Sequence, residues 1–117
     1  MIRRAIPVLH VTNAAKALTF YHGLGFQLEF EHHPQGAAGD PCYMGISRDG
    51  VWLHLSSFAG DGVAGAVANL MVDSVDQLYS EFTAKHVYID VPPVDQSWGS
   101  REMYVKDADG NCLRFIA

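Results

Sequence analysis

The chain is poor in cysteine. It has two, Cys42 and Cys112, far apart and outside any C-x-x-C arrangement. That pattern argues against a disulfide framework and reads both thiols as small apolar residues of a reducing compartment. Long hydrophobic runs are missing too. Nothing approaches the roughly 18 apolar residues of a membrane span, and Pro7 and His10 interrupt any leader-like segment after Arg3 and Arg4. Basic charge is short, with 8 Lys and Arg against 13 Asp and Glu, a net charge of −5 over 117 residues. That sign disfavours nucleic acid and anionic membrane as partners and suits cationic ligands. There is no G-x-S-x-G elbow, P-loop or dinucleotide fingerprint. A cytoplasmic protein of ordinary globular composition is expected, large enough to bury a core without staples.

What is present is a repeat. Val11-Thr12-Asn13-Ala14-Ala15-Lys16-Ala17-Leu18 is echoed roughly 60 residues later by Val72-Asp73-Ser74-Val75-Asp76-Gln77-Leu78-Tyr79. Asp49-Gly50-Val51-Trp52-Leu53-His54-Leu55 is echoed at nearly the same offset by Asp109-Gly110-Asn111-Cys112-Leu113-Arg114-Phe115. Two matches at nearly equal spacing imply two copies of one unit, approximately residues 1–60 and 61–117, within a single domain.

Each copy predicts strand, helix, then three strands. The first strands are Ile6 to Val11 and Val67 to Val72, each leading to a capping residue, Asn13 or Ser74. Ser74 with Gln77 has capping-box spacing. The helices present Ala14, Ala17, Leu18, Tyr21 and Val75, Leu78, Tyr79, Phe82, the stripe of a helix laid on a sheet. Gly23 and Gly25 end the first helix, and Lys85 and His86 suit the end of the second. The remaining strands are Gln27 to Glu31, Tyr43 to Ser47 and Val51 to Ser56, then Tyr88 to Val91, Arg101 to Lys106 and Asn111 to Ile116. Asp49-Gly50 reads as a tight hairpin turn. The fold class is therefore α+β, two βαβββ repeats forming a curved mixed sheet with helices on the outer face.

Alternation assigns the faces. Leu9, Val11, Leu53, Leu55, Met103, Val105 and Phe115 point to the helices. The other face collects His10, Trp52, His54, Asn69, Glu102, Tyr104 and Arg114. Polar and aromatic groups on a concave, helix-free face are what a ligand cleft needs. A simply solvated face is the alternative.

With these residues in place the chain resembles the glyoxalase/bleomycin-resistance/dioxygenase (vicinal oxygen chelate) superfamily over its whole length. The resemblance rests on Ile6-Pro7-Val8-Leu9-His10-Val11, on Ala17-Leu18-Thr19-Phe20-Tyr21 with Leu24-Gly25-Phe26, and on the Val72 to Tyr79 segment. Its most specific part is the run from Trp98 to Asn111, which is most similar to the bleomycin-resistance branch. Met103 and Ala108 stand where that branch more often has Phe and Pro. Neither change touches a polar group.

Superfamily enzymes hold a divalent metal at strand positions that correspond here to Ile6, His54, Val67 and Arg114. Two of these are aliphatic and one is a permanent cation without an acceptor, so the family metal site is not expected. The bleomycin-resistance branch implies a homodimer whose shared clefts sequester an aromatic, cationic antibiotic such as bleomycin, independently of metal or other cofactor and without transforming it. On that resemblance Trp98 and Tyr43 are the stacking aromatics, while alternation supplies Trp52, His54, His10, Glu102, Tyr104 and Arg114 as the cleft lining. Glu29, Glu31, Glu102, Asp40 and Asp61 supply the acidic side. A buried Arg114 needs a partner, and Glu102 is the natural one; an Arg114 that points freely into the cleft favours a carboxylate or phosphate ligand instead. The alternative is a superfamily enzyme, of lyase or dioxygenase type, with an atypical His10/His54/Glu102 metal or acid/base site. His32 and His33 read as a solvated loop pair.

Overall fold

The computed structural model describes residues 1–117. The chain runs β1 (Val8–His10), α1 (Ala14–Gly23), β2 (Gln27–His32), β3 (Tyr43–Arg48), β4 (Val51–Ser56), β5 (Val67–Met71), α2 (Val75–Ala84), β6 (Val91–Asp95), β7 (Arg101–Lys106) and β8 (Cys112–Ile116). The βαβββ order occurs twice. The strands divide between two four-stranded mixed sheets, ordered β1-β4-β3-β2 and β5-β8-β7-β6. In each sheet the first strand of the unit joins the last in parallel, with Val8 opposite His54 and Asn69 opposite Arg114, while the other pairs are antiparallel.

Local chemistry sets the element ends. The Lys16 amide donates to Asn13 Oδ1 at 3.0 Å, and the Gln77 amide donates to Ser74 Oγ at 3.2 Å, so both helices start on side-chain caps. Asp49 (φ 52°) and Gly50 (φ 78°) both take the left-handed conformation that a type I′ hairpin needs between β3 and β4. The first strand is shorter than the Ile6 to Val11 expected. Ladder bonds still run past its ends, from the His54 amide to the Pro7 carbonyl and from the Val11 amide to the Ser56 carbonyl, each 2.9 Å. The sixth strand is displaced from Tyr88–Val91 to Val91–Asp95, across Pro92 and Pro93. It lies at a sheet edge with a register shift between Val91 and Val94, where missing amide donors are tolerated. The last strand starts at Cys112: the Asn111 backbone amide donates to Asp107 Oδ1, while the Cys112 amide donates to the Ala66 carbonyl.

The helix-facing residues form one core of 19 buried side chains drawn from both repeats. Leu9, Val11, Leu53, Leu55, Met103, Val105, Leu113 and Phe115 are all in it, as alternation predicts, with Tyr21 and Phe82 from the two helices. A buried polar tie crosses between the repeats. Tyr21 Oη donates to Asp107 Oδ2 at 2.8 Å, and the Asn111 amide side chain donates both to that oxygen and to the His10 carbonyl. Burial, reinforced by the Asp107 charge, keeps the Tyr21 hydroxyl protonated at any ordinary pH. A second tie pairs Arg48 with both oxygens of Glu81 on α2, at 2.7 and 2.8 Å. These contacts fix the orientation of the helix-free faces on which the candidate site residues lie.

Candidate functional site

The helix-free face of the first sheet carries an aromatic cluster. Tyr43 on β3 and Trp52 and His54 on β4 project to the same side by register, with Phe30 of β2 between them. Phe30 stacks near-parallel to Tyr43 (6.3 Å between centroids) and Trp52 (6.5 Å), and meets His54 edge-on at 5.4 Å. Its ring lies over Gly45, in the space that any Cβ at that position would occupy. Glycine is therefore required opposite the aromatic ring. Tyr43 Oη and His54 Nδ1 are 2.7 Å apart. Burial pushes the Tyr43 hydroxyl up, while burial and then the Arg4 charge push the His54 imidazole down. At neutral pH the tyrosine thus donates, Nδ1 accepts, and the proton on the neutral ring sits on Nε2. The Arg4 guanidinium lies 5.2 Å from the Trp52 ring centroid and covers one side of it.

His10 lies on the same face but is committed differently. Its Nδ1 is 3.0 Å from the Asp61 carbonyl oxygen, while the Asp61 carboxylate accepts from Ser56 Oγ at 2.8 Å. His10 thereby fastens the loop after β4 to the edge strand.

The second sheet carries Glu102, Tyr104 and Arg114, with Trp98 in the turn before β7, and Glu102 is the centre of the group. One carboxylate oxygen accepts from the Trp98 indole N–H (3.1 Å) and Ser100 Oγ (2.5 Å), and the other accepts from Tyr104 Oη (2.7 Å). The Ser100 bond first, then those from Tyr104 and Trp98, hold the Glu102 carboxyl below the usual carboxylate range. Trp98 is 70% exposed although its indole is tethered to a side chain that is only 5% exposed. An exposed aromatic ring fixed from behind is preorganised for stacking. The expected Glu102–Arg114 pair does not form, because Trp98, Ser100 and Tyr104 satisfy the carboxylate first. Arg114 instead lies over the Tyr104 ring, 5.1 Å from its centroid, and its buried Nε has no hydrogen-bond partner.

The eight candidate residues thus fall into two clusters on separate sheets. Tyr43, Trp52, His54 and, further along, His10 are on one; Trp98, Glu102, Tyr104 and Arg114 are on the other. His10, His54 and Glu102 do not bring their donor atoms together within the chain as the three-ligand alternative requires. Two concavities lie elsewhere. One of about 410 Å³ runs between the β3–β4 turn and β5–α2, and one of about 290 Å³ touches the set only at Trp52. Glu31 is not a cleft residue: it sits opposite the buried Met44 and so belongs to the helix side of its sheet. Asp40 is likewise engaged, accepting from the Ala14 amide and Ser57 Oγ.

Phe30, Arg4 and Ser100 went unforeseen. Phe30 shares its face with His32, but a register shift between Leu28 and Phe30 puts Leu28, opposite the buried Ile46, on the other side, so strict alternation along the strand does not mark the face of Phe30. Arg4 and Ser100 lie outside the strands, where no periodicity reports on them.

The full chain, residues 1–117, matches the family model described as glyoxalase superfamily protein. The chain belongs to the glyoxalase superfamily. No curated protein matches it in sequence. Among solved structures it is similar to a bleomycin-binding protein complexed with bleomycin, at 22% identity over 98% of each chain with a TM-score of 0.77. A bleomycin resistance determinant encoded on the transposon Tn5 matches at 22% identity, over 98% of this chain and 97% of that one, with a TM-score of 0.78. TioX from Micromonospora sp. ML1 matches at 22% identity, over 97% and 94% of the two chains, with a TM-score of 0.72. Likeness at these identities establishes the glyoxalase-superfamily fold. The metal positions that the superfamily resemblance implies do not fit an ion here. Ile6 and Val67 have no donor atom, Arg114 is a cation, and His54 Nδ1 is already bonded to Tyr43.

Proposed function

We propose that this glyoxalase-superfamily protein is a metal-independent binding protein. On this reading it sequesters a planar aromatic, cationic antibiotic such as bleomycin and does no chemistry on it. The observation that carries the reading is Trp98: a largely exposed indole held rigid by a buried carboxylate has no packing role and is shaped to receive a flat ring. Stacking on such a ring is worth about 1–3 kcal/mol by analogy with base stacking. The bleomycin complex of a protein with the same fold supports a ligand of this type, and the net charge of −5 favours the approach of a cation.

The same proposal gives the protein a homodimeric form. Residues 1–117 act as one domain of two βαβββ modules, each with an open face. Phe30, Met71 and Trp98 are exposed on these faces at 41, 74 and 70%. Apolar surface of that kind is buried when a second copy closes over it. A cleft between the aromatic face of one chain and the Trp98 face of its partner would unite the eight candidate residues. Antibiotic resistance by sequestration follows if the drug is the physiological ligand.

One observation favours a second reading of the ligand's charge. Arg114 has no carboxylate partner, so an aromatic carboxylate or phosphate would find a cation lying over the Tyr104 ring. Fluorescence titration of the intact protein separates the readings. Metal-free bleomycin is expected to quench Trp98 saturably at micromolar concentration or below. Quenching by an aromatic carboxylate and not by bleomycin would assign the second reading, and quenching by neither would reject sequestration. Steady conversion of either compound would point to the enzyme alternative.

A further inference from the structure

Outside the cleft, on the helix side of the first sheet, three side chains meet at the base of the loop joining β2 to β3. They are Glu31 and His33 from one end of the loop and Cys42 from the other. We propose that Glu31, His33 and Cys42 bind one Zn²⁺ ion per chain and thereby clamp this loop closed. The site is independent of the proposed cleft, which lies on the opposite face.

Three observations converge. First, the spacing is that of a tetrahedral ion. Zinc bonds of about 2.3 Å to sulfur, about 2.05 Å to nitrogen and about 2.1 Å to oxygen separate ligand atoms by about 3.4–3.6 Å at tetrahedral angles. His33 Nε2 lies 3.7 Å from Cys42 Sγ and 3.6 Å from Glu31 Oε2, and all three donor atoms lie within 4.8 Å of one another. The two edges that meet at His33 are thus within a few tenths of an ångström of the separations an ion needs, and the exposed Glu31 side chain can swing to close the third.

Second, the imidazole is already oriented. His33 Nδ1 is 2.7 Å from the Gly39 carbonyl oxygen, which can only accept, so Nδ1 carries a proton. That leaves Nε2 aimed at the other two ligands, the outer-shell arrangement usual for a metal-binding histidine.

Third, one ion satisfies contacts that a single proton cannot. Without a metal, Nε2 either accepts from the Cys42 thiol or, when protonated, donates to Glu31, but it cannot do both. A cation at the centre of the triangle gives all three atoms a partner. Cysteine, histidine and carboxylate are a borderline-soft set that suits Zn²⁺. Cys42 is buried and Glu31 is exposed, so water completes the tetrahedron from the solvent side. Binding exchanges the Cys42 thiol proton, released to solvent, for the ion, with no change of oxidation state. The consequence reaches the aromatic face through the backbone: Cys42 precedes Tyr43, whose ring belongs to the aromatic cluster, and His32 pairs directly with Tyr43.

The test uses untagged protein stripped with a chelator and titrated with ZnCl₂ against a chromophoric competitor, then with Co²⁺ as a spectroscopic probe. The expected results are one ion per chain, a thiolate-to-cobalt charge-transfer band in the near ultraviolet, and a zinc-dependent rise in Tm. His33→Gln, on a partly exposed loop residue whose replacement leaves the core intact, is expected to weaken zinc binding at least about tenfold. Cys42→Ser should abolish the charge-transfer band, while Cys112→Ala should retain it. A cobalt spectrum without a thiolate band, or zinc affinity unchanged in His33→Gln, would overturn the proposal.

Discussion

The two helix-free faces share a topology and almost nothing else. The face of β2, β3 and β4 is built from rings: Phe30, Tyr43, Trp52 and His54 hold one another, and its one internal hydrogen bond joins two aromatic side chains. The face of β7 and β8 is built around a charge, with Trp98, Ser100 and Tyr104 converging on Glu102 and Arg114 left over. The equivalent positions His54 and Arg114 show the divergence most plainly. One is a neutral acceptor locked to a tyrosine, and the other is a fixed cation lying on one. Each face supplies what the other lacks, which is why neither alone makes a convincing site.

That difference can be broken from either side. The largest effect is expected at Trp98. Trp98→Ala should weaken binding of the quenching ligand by about 1–3 kcal/mol and leave Tm nearly unchanged, as calorimetric titration and thermal melting would show. A large fall in Tm instead would mean that the ring is structural. On the other face the cost should appear in stability. Gly45→Val drives a side chain into the Phe30 ring and should destabilise by about 1–3 kcal/mol, measured by denaturant unfolding. A neutral substitution there would show that Phe30 does not hold its observed position.

Two smaller effects sharpen the contrast. Tyr104→Phe removes one donor from Glu102 and uncovers the carboxylate to Arg114. We expect a change of about 0.5–1.5 kcal/mol and altered Trp98 emission; unaltered emission would place Trp98 outside the network. The faces should also titrate separately. The Glu102 carboxyl is depressed by Ser100, Tyr104 and Trp98, so its stabilisation is present above its unfolded value and is lost as pH falls through the folded one. Trp98 emission should change in that acidic window. His54 is depressed by burial and by Arg4, so the unfolded chain binds the proton more readily and stability falls as pH drops below about 6.5. His54→Gln should flatten that part of the stability curve and leave the more acidic part intact.

Much of this architecture is legible in the chain, and the reasons are local. Asn13 and Ser74 announce the helices because capping chemistry lies within three residues. Asp49-Gly50 announces a hairpin because few residue pairs tolerate two positive φ angles. Alternation separates Leu53 and Leu55 from Trp52 and His54 without knowledge of the partner strands. Legibility ends where competition in space decides. Glu102 looks like the partner of Arg114 until Trp98 and Ser100, from the preceding loop, claim the carboxylate. His33 reads as a solvated loop residue because Cys42, across that loop, contacts it only after folding. Pro92 and Pro93 hide β6, since an edge strand needs fewer amide donors than the sequence pattern assumes. Periodicity places His10, Trp52, His54, Glu102, Tyr104 and Arg114 on faces, and resemblance adds Tyr43 and Trp98, but neither shows that those faces belong to different sheets.

The central claim is that a working cleft joins the aromatic face of one chain to the Trp98 face of another. Mixing two defective variants tests it directly. If that proposal holds, Trp98→Ala spoils every cleft of the proposed homodimer from one side, and Trp52→Ala spoils every cleft from the other. When the two proteins are unfolded together and refolded, the heterodimer contains one cleft built from two intact faces. We predict that tight ligand binding returns in the mixture, in a species of twice the chain mass. If the mixture binds no better than its parents, each site lies within one chain and the shared cleft is wrong.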